Sequence, residues 1–476
     1  MADGLATELL AATGGSWVAD RSADAVAWTG GAIDTRRITG GEVFFALPGE
    51  RVDGHDYVQS AFAAGASLAV VHREVEAAGP LLRVADTYTA LHDVTRAVRR
   101  RVPQKLVAIT GSVGKTTTKE LLAEILARRV SVARSPGNFN NLYGFPVALL
   151  GVPDDTEWMV AEMGMSTPGE LGEVSRLGRP DAAVYTNVRS AHLERFGTRR
   201  AIAEAKAELL TGLAEGGLLV ANADDDEVMR IAQRHAREHA VELVTYGVTS
   251  PAADLRAEQV RPEVATIDDR VIDGSRSILV HGGARREVLL AAHGLYNVEN
   301  LLAAAACALS LGLSLDDVAD AAQSFRPAAM RGEVHRSEDG PTIIDDSYNS
   351  NPEAAVAAIA SAAEVPARRR LAVLGDMLEL GPTAPELHRG VGRAAGARGF
   401  EIVLGVGELA RHVVDAARDA GVADASWSPD AASAAERLRQ WHLSAGDLVL
   451  VKGSRGIGLD LVVRELLSDG GNGGGC

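Results

Sequence analysis

Lys105-Leu106-Val107-Ala108-Ile109-Thr110-Gly111-Ser112-Val113-Gly114-Lys115-Thr116-Thr117 decides the fold. Its first six residues form a nearly unbroken apolar run, as a parallel strand covered on both faces requires. Two glycines then allow a tight turn, and Leu121, Leu122, Ile125 and Leu126 recur with helical spacing over 116–128. Strand, glycine turn and helix in that order gather backbone N–H groups and the positive end of a helix around an anion. Lys115 can reach the β- and γ-phosphates of a nucleoside triphosphate, and Thr116 can ligate Mg²⁺. Gly111, Ser112, Val113, Gly114, Lys115, Thr116 and Thr117 are the candidate phosphate-binding residues. The pattern G-x-x-x-x-G-K-[ST] would put glycine where Ile109 stands, so the match is incomplete while the physics of the turn survives.

Outward from this loop, strand-like runs alternate with helical ones. Apolar runs at 158–163, 182–188 and 218–221 continue the strand series. Short alternating stretches between 254 and 290 predict an antiparallel insert, and 294–311 returns to helix. Beyond Arg326-Pro327, runs at 342–345, 371–374, 402–404 and 448–451 are separated by Ala-rich helical stretches. That alternation predicts a second parallel sheet with ligands at the carboxyl ends of its strands. Upstream, 43–47 and 67–71 are strands of a small α/β unit, and the basic segment Arg96 to Arg101 with Pro103 reads as a linker. A length of 476 residues suggests about three domains. The expectation is an α/β chain in three parts: 1–100, 101–326 with a mostly parallel P-loop sheet, and a Rossmann-like 327–468. A Gly-rich tail at 469–476 reads as disordered.

Composition narrows the function. Hydrophobic residues at 46% and charged residues at 24% are ordinary globular values. Aromatics are only 4%, too few for a single-strand binder built on base stacking. A net charge of −16 repels phosphate backbones, so nucleic acid is not an expected partner, and any phosphorylated ligand needs locally concentrated donors. No apolar stretch is long enough to span a membrane, and the first residues lack a signal-peptide pattern. The two cysteines, Cys307 in a helical run and Cys476 in the tail, cannot build a disulfide framework. A cytoplasmic protein is expected, with a monomer as the default.

Three further residues stand near the loop. Glu162 ends an apolar strand, where P-loop enzymes place a metal-binding acid. His192 lies just beyond the next strand end; a lone histidine is ordinarily structural, but this position favours ligation. Lys206, on a helix, would ordinarily be solvated. A guanine-reading Asn-Lys-x-Asp segment is absent, since no Asn-Lys pair occurs.

The loop 110–117, the segment His192–Gly197 with Lys206, and Gly294-Leu295-Tyr296-Asn297-Val298-Glu299-Asn300 together resemble the ATP-dependent Mur ligases of peptidoglycan synthesis. Asp345-Asp346-Ser347-Tyr348-Asn349-Ser350-Asn351-Pro352, Leu374-Gly375-Asp376-Met377-Leu378-Glu379-Leu380-Gly381 and Val451-Lys452-Gly453-Ser454-Arg455 are similar to the family's D-alanyl-D-alanine-adding branch. The N-terminal run from Asp34-Thr35-Arg36 to Asp53-Gly54-His55-Asp56 is similar to the family's UDP-binding domain. Three places depart from the family pattern: Thr35 replaces a serine, Leu142-Tyr143 follows Asn140-Asn141, and Met330-Arg331-Gly332-Glu333 varies the usual order.

The resemblance implies that ATP activates the carboxylate of UDP-N-acetylmuramoyl-tripeptide as an acyl phosphate, which the amine of D-Ala-D-Ala then attacks. It implies Lys115, Glu162, His192 and Lys206 as catalytic residues. Thr116, Glu162 and His192 would hold Mg²⁺, two ions in all, with Lys206 joining them if carbamylated. Asn297 and Asn300 would support adenine, Arg331 the nucleotide, Asp346 the ribose and Asn349 the phosphates. Thr35, Arg36, Asn140 and Asn141 would meet the UDP-linked substrate. The dipeptide zone would be 374–381 with His388 nearby. A site shared by two domains implies an open ligand-free form that closes. Two other readings stay open: a different ligase of the superfamily, or a nucleotide-dependent scaffold. Neither an Asp-Asn-Pro-Arg run nor an Asp-Tyr-Ala-His segment of the third-amino-acid-adding relatives occurs.

Overall fold

The computed structural model describes residues 3–18, 23, 25–49, 51–190, 193–267, 270–336 and 340–469. The run Lys105–Thr110 is a strand inside a nine-stranded sheet, with Trp158–Glu162 on one side and Ala182–Tyr185 on the other, both parallel to it. Leu106 through Thr110 are buried, which is why the run carries no alternation. In register, Glu162 lies opposite Ile109 and Tyr185 opposite Thr110. The three strands therefore end together, beside the glycine turn. The helix Lys115–Leu126 leaves that turn and packs Leu121 and Leu122 into a core shared with Leu301 and Leu302 of the helix Leu295–Ser310. Cys307 is buried in the latter helix.

Leu218–Asn222 and Glu242–Gly247 extend the sheet in parallel. The expected antiparallel insert is present, its strands longer than expected and continuous with one flank of the same sheet. Leu255–Ile267 and Arg270–His281 are 13 and 12 residues long, and Ala284–Leu290 completes an antiparallel set. The alternation has a simple cause: one face buries Leu255, Ala257, Leu279 and Val288 beside the helix Leu295–Ser310, and the other meets water.

The N-terminal sheet runs Ser16–Trp17, Leu81–Arg83, Leu68–Val71, Val43–Phe45, Gly31–Ala32. The basic segment 96–101 is not a linker. It forms the last turns of the helix Thr87–Arg101, and Arg99 reaches into the central unit. Its guanidinium donates to the Gly178 carbonyl at 2.6 Å and pairs with Asp181 at 3.1 Å. Phe45, Leu91 and Val98 share one apolar core with Leu106, Phe145, Leu150 and Met159, so the two units meet through packed side chains.

The third sheet runs Glu333–His335, Thr342–Asp346, Asp447–Lys452, Arg369–Gly375, Ile402–Val406, Asp424–Ser428, parallel except for its first strand. This unit is seated on the central one. Glu353 accepts from the Ser190 N–H at 3.2 Å, the Glu194 N–H donates to the Glu379 carbonyl at 3.1 Å, and His293 meets the Ser361 carbonyl at 2.8 Å. The chain is thus an α/β protein of three units with mostly parallel sheets. Among the described residues no helix is long and apolar enough to cross a membrane. Asp469 ends the helix Asp460–Asp469, and the rest of the Gly-rich tail lies outside the described residues.

Arg99→Ala removes a forked donor while leaving the Asp181 carboxylate and the carbonyls of Gly178, Gln104 and Arg179 behind. We expect it to lower the unfolding free energy by about 2 kcal/mol in urea titrations. Arg99→Lys should recover less than half, because an ammonium cannot make the fork.

Candidate active site

The phosphate loop is shaped by its two glycines and held by the neighbouring strand end. Gly111 and Gly114 have φ of +146° and +87°, and a Cβ on either would fall 1.9 Å from Thr186 Oγ1 and 2.1 Å from Asn300 Oδ1 respectively. Glycine is required at both positions by space as well as by backbone angle. Asn187 holds the loop from the neighbouring strand end. Its carbonyl accepts the Ser112 N–H at 2.9 Å, and its Oδ1 accepts the Val113 N–H at 3.0 Å. Thr186 Oγ1 donates to the Val113 carbonyl at 2.8 Å, and the Arg189 N–H donates to Ser112 Oγ at 2.9 Å. The sequence around Asn187 pointed to a strand end, but its grip on the loop depends on which strand is the neighbour.

Lys115 Nζ donates to the Gly111 carbonyl at 2.8 Å, folding over its own loop. Burial lowers its pKa; Glu162 opposes the shift and Arg331 adds to it. Thr116 Oγ1 donates to Glu162 Oε2 at 2.6 Å, and Asn140 Nδ2 donates to Glu162 Oε1 at 3.0 Å. A hydroxyl and a carboxylate this close, at the mouth of an anion-binding loop, form a hard-oxygen donor pair of the kind Mg²⁺ takes. Asn141 turns its Oδ1 to the Gly144 N–H, 2.9 Å away, and so anchors the start of the helix Gly144–Leu150. His192 lies outside the described residues.

Lys206 departs from the solvated lysine its helix suggested. It is 2% exposed and makes no hydrogen bond or ion pair with another described residue. Burial, and after it the Lys115 charge, pull its pKa well below the ordinary lysine value. The pattern of its helix could not reveal this, since the covering surface comes from elsewhere in the fold.

The opposite wall comes from the third unit. Asp346 pairs with Lys452 at 2.6 Å, and Lys452 also donates to the Asn349 carbonyl at 3.0 Å. Arg331 stacks on Tyr348, 4.0 Å from the ring centre. Asn300 donates to Asn297 Oδ1 at 3.2 Å, and Asn297 to the His293 carbonyl at 2.8 Å, fixing both amides beside the loop. Together these side chains line a cleft of about 420 Å³ that also contains Ser112 to Thr117, Asn140, Asn141, Glu162 and Lys206. Lys452 and Asn187 were not singled out from sequence, although both end apolar strands.

Two expectations fall elsewhere. Thr35 and Arg36 are in the N-terminal unit, outside the lining of this cleft; the Arg36 guanidinium is exposed and pairs with Asp34 at 2.7 Å. His388 is buried with both ring nitrogens engaged. Nε2 accepts the Met377 N–H at 2.9 Å and Nδ1 meets the Ala384 carbonyl at 2.7 Å. It braces the 374–381 segment from within and has no free edge for a dipeptide.

A phosphate loop facing a second α/β unit across one cleft defines an ATP-dependent enzyme whose site needs both units. Comparison with known proteins is consistent throughout. Residues 109–308 match the Mur ligase middle domain, 330–455 the Mur ligase glutamate ligase domain, and 29–130 the Mur ligase family catalytic domain. The UDP-N-acetylmuramoyl-tripeptide–D-alanyl-D-alanine ligase of Escherichia coli (strain K12) is 34% identical, covering 95% of each chain. The corresponding enzyme of Bacillus subtilis (strain 168) is 32% identical over 92% of this chain and 93% of its own. Among solved structures, MurF from Acinetobacter baumannii superposes with a TM-score of 0.85 at 28% identity, covering 98% of this chain and 99% of that one. MurF from Thermotoga maritima in complex with ADP gives 0.77 at 27% identity, covering 93% and 98%. The chain belongs to the Mur ligase family, and it is an ATP-dependent ligase.

Gly114→Ala should weaken ADP binding at least ~10-fold in calorimetric titration, because the left-handed backbone and Asn300 both reject a methyl group.

Proposed function

We propose that this ligase joins D-alanyl-D-alanine to UDP-N-acetylmuramoyl-tripeptide, giving the UDP-linked muramoyl pentapeptide, ADP and phosphate. The names of the relatives support the substrates. The observation that carries the chemistry is the single cleft in which Lys115, Thr116, Glu162 and Lys206 face Arg331, Asp346, Asn349 and Lys452.

The terminal carboxylate of the tripeptide attacks the γ-phosphorus of ATP, and the bond to the β-phosphate oxygen breaks, releasing ADP. The resulting acyl phosphate is attacked by the dipeptide amine. A tetrahedral intermediate forms, the amine loses a proton, and phosphate leaves with the bonding pair. A free carboxylate is a poor acylating agent, so the phosphoryl group supplies the leaving group. Lys115 and the loop N–H groups hold the β- and γ-phosphates, and offset the repulsion between two approaching anions. Thr116 and Glu162 would hold Mg²⁺, and His192 would help hold a second ion. Bound there, Mg²⁺ supplies charge neutralisation of the transferring phosphoryl group. Asn140 keeps the Glu162 carboxylate turned toward the cleft. Asp346, held by Lys452, reaches the ribose; Arg331 and Asn349 meet the phosphates; Asn297 and Asn300 brace the adenine end.

Lys206 is the residue for carbamylation. A neutral amine, not an ammonium, adds to CO₂, and burial of Lys206 with no acid beside it among the described residues favours the neutral form. The product is an anion that adds a metal ligand beside the Lys115 charge.

The division of labour follows the chain: 1–100, with Thr35 and Arg36, recognises the UDP-linked substrate; 101–326 binds ATP and activates the carboxylate; 327–468 brings the dipeptide. The enzyme acts as a monomer in the bacterial cytoplasm. That setting is supported by a chain with two cysteines, one of them buried in a helix.

Purified protein with UDP-N-acetylmuramoyl-tripeptide, ATP and Mg²⁺ should release phosphate only when D-Ala-D-Ala is added. Equal turnover with a single amino acid would overturn the dipeptide assignment. Lys115→Ala should slow release at least ~10²-fold. After equilibration with ¹³C-bicarbonate, the wild-type chain should show a carbamate resonance in ¹³C NMR that Lys206→Ala lacks.

A further inference from the structure

Lys119 is wholly buried, yet it is no part of the cleft wall. It follows Lys115 by four residues on the helix Lys115–Leu126, and so lies one turn further along the same side. A lysine has three N–H donors, and burying them without acceptors is costly. Here Nζ donates to the Ser135 carbonyl at 2.7 Å and the Gly137 carbonyl at 3.3 Å, and Glu120 Oε1 is 3.2 Å away. Glu120 is itself 2.7 Å from Arg134. The ammonium fastens the phosphate-loop helix to the turn at 135–137.

That turn controls Glu162. Ser135 Oγ accepts the Glu162 N–H at 3.3 Å, and the Ser135 N–H donates to the Val160 carbonyl at 3.0 Å. Three residues beyond Gly137, Asn140 donates to Glu162 Oε1, while its own carbonyl accepts the Gly164 N–H at 2.9 Å. The backbone and the carboxylate of Glu162 are thus both held by the segment that Lys119 pins. An apolar side chain of similar volume generally matches a buried, paired charge in stability. What the charge supplies here is position.

We infer that Lys119 is a positioning residue of the ligase, setting the Glu162 carboxylate and the 138–141 segment relative to the phosphate loop. The inference rests on the function proposed above. Its expected signature is selective, because the loop itself is held from the other side, by Thr186, Asn187 and Arg189. In full-length Lys119→Met, thermal unfolding should stay close to wild type. The Mg²⁺ concentration for half-maximal phosphate release and the KM for the UDP-linked tripeptide should rise on the order of 10-fold, as for lost support behind a metal ligand. The KM for ATP should move less than about 2-fold. Independently of turnover, Mn²⁺ titration of the ADP-loaded chain, followed by EPR, should weaken by a similar factor of about 10. Ser135→Ala, which removes a single hydroxyl, should shift the same constants in the same direction, and decides alone if Lys119→Met does not fold. Unchanged Mn²⁺ affinity, or an ATP KM that moves as much as the Mg²⁺ requirement, overturns the inference. A wild-type chain inert toward the peptide substrates would overturn the ligase reading instead, and the Mn²⁺ titration would still decide on Lys119.

Discussion

Three parallel strands that end level with one another are the constraint on which the site depends. Because Glu162 is in register with Ile109 and Tyr185 with Thr110, the glycine turn emerges between a carboxylate and an amide already within bonding reach. No side chain has to stretch. Thr116 meets Glu162, Asn187 meets the loop, and each bond is a consequence of the sheet's register. A one-residue slip would move every one of these groups to the other face.

The charge of the chain poses the opposite problem. With a net −16, the surface as a whole repels the polyanions the enzyme must hold. The cleft reverses this locally by collecting Lys115, Arg331, Lys452 and Arg455 around the loop. They are not equivalent. Lys452 is neutralised by Asp346 and Arg455 pairs with Asp460, whereas Lys115 rests on carbonyls and Arg331 on the Tyr348 ring. The cations without a paired acid among the described residues face the cleft from both walls, Lys115 from the phosphate loop and Arg331 from the third unit.

Local patterns carried most of the architecture. An apolar run followed by Gly111 and Gly114 specifies strand, turn and helix without reference to the rest of the chain, and the third unit's strands were legible for the same reason. What sequence could not show depended on long-range packing. Arg96 to Arg101 read as a linker because polarity was visible and the Gly178 carbonyl was not. Alternation at 254–290 gave strands, but neither their length nor their continuity with the central sheet. Lys206 and His388 show the same limit from opposite sides. Burial turned an ordinary helix lysine into an amine without a partner among the described residues, and turned a candidate contact residue into an internal brace.

The distribution of apolar cores has a consequence for motion and for evolution. The first two units share one core, whereas among the described residues both cores of the third unit close within it. A rigid-body swing of the third unit therefore exchanges a few hydrogen bonds with water and exposes no packed interior, while a swing of the first would tear one open. On the function proposed above, substrate activation would be built on a fused platform and amine selection on a detachable one. Such a division lets the specificity for the incoming nucleophile change by replacement of a self-contained module, with the phosphoryl-transfer machinery left undisturbed.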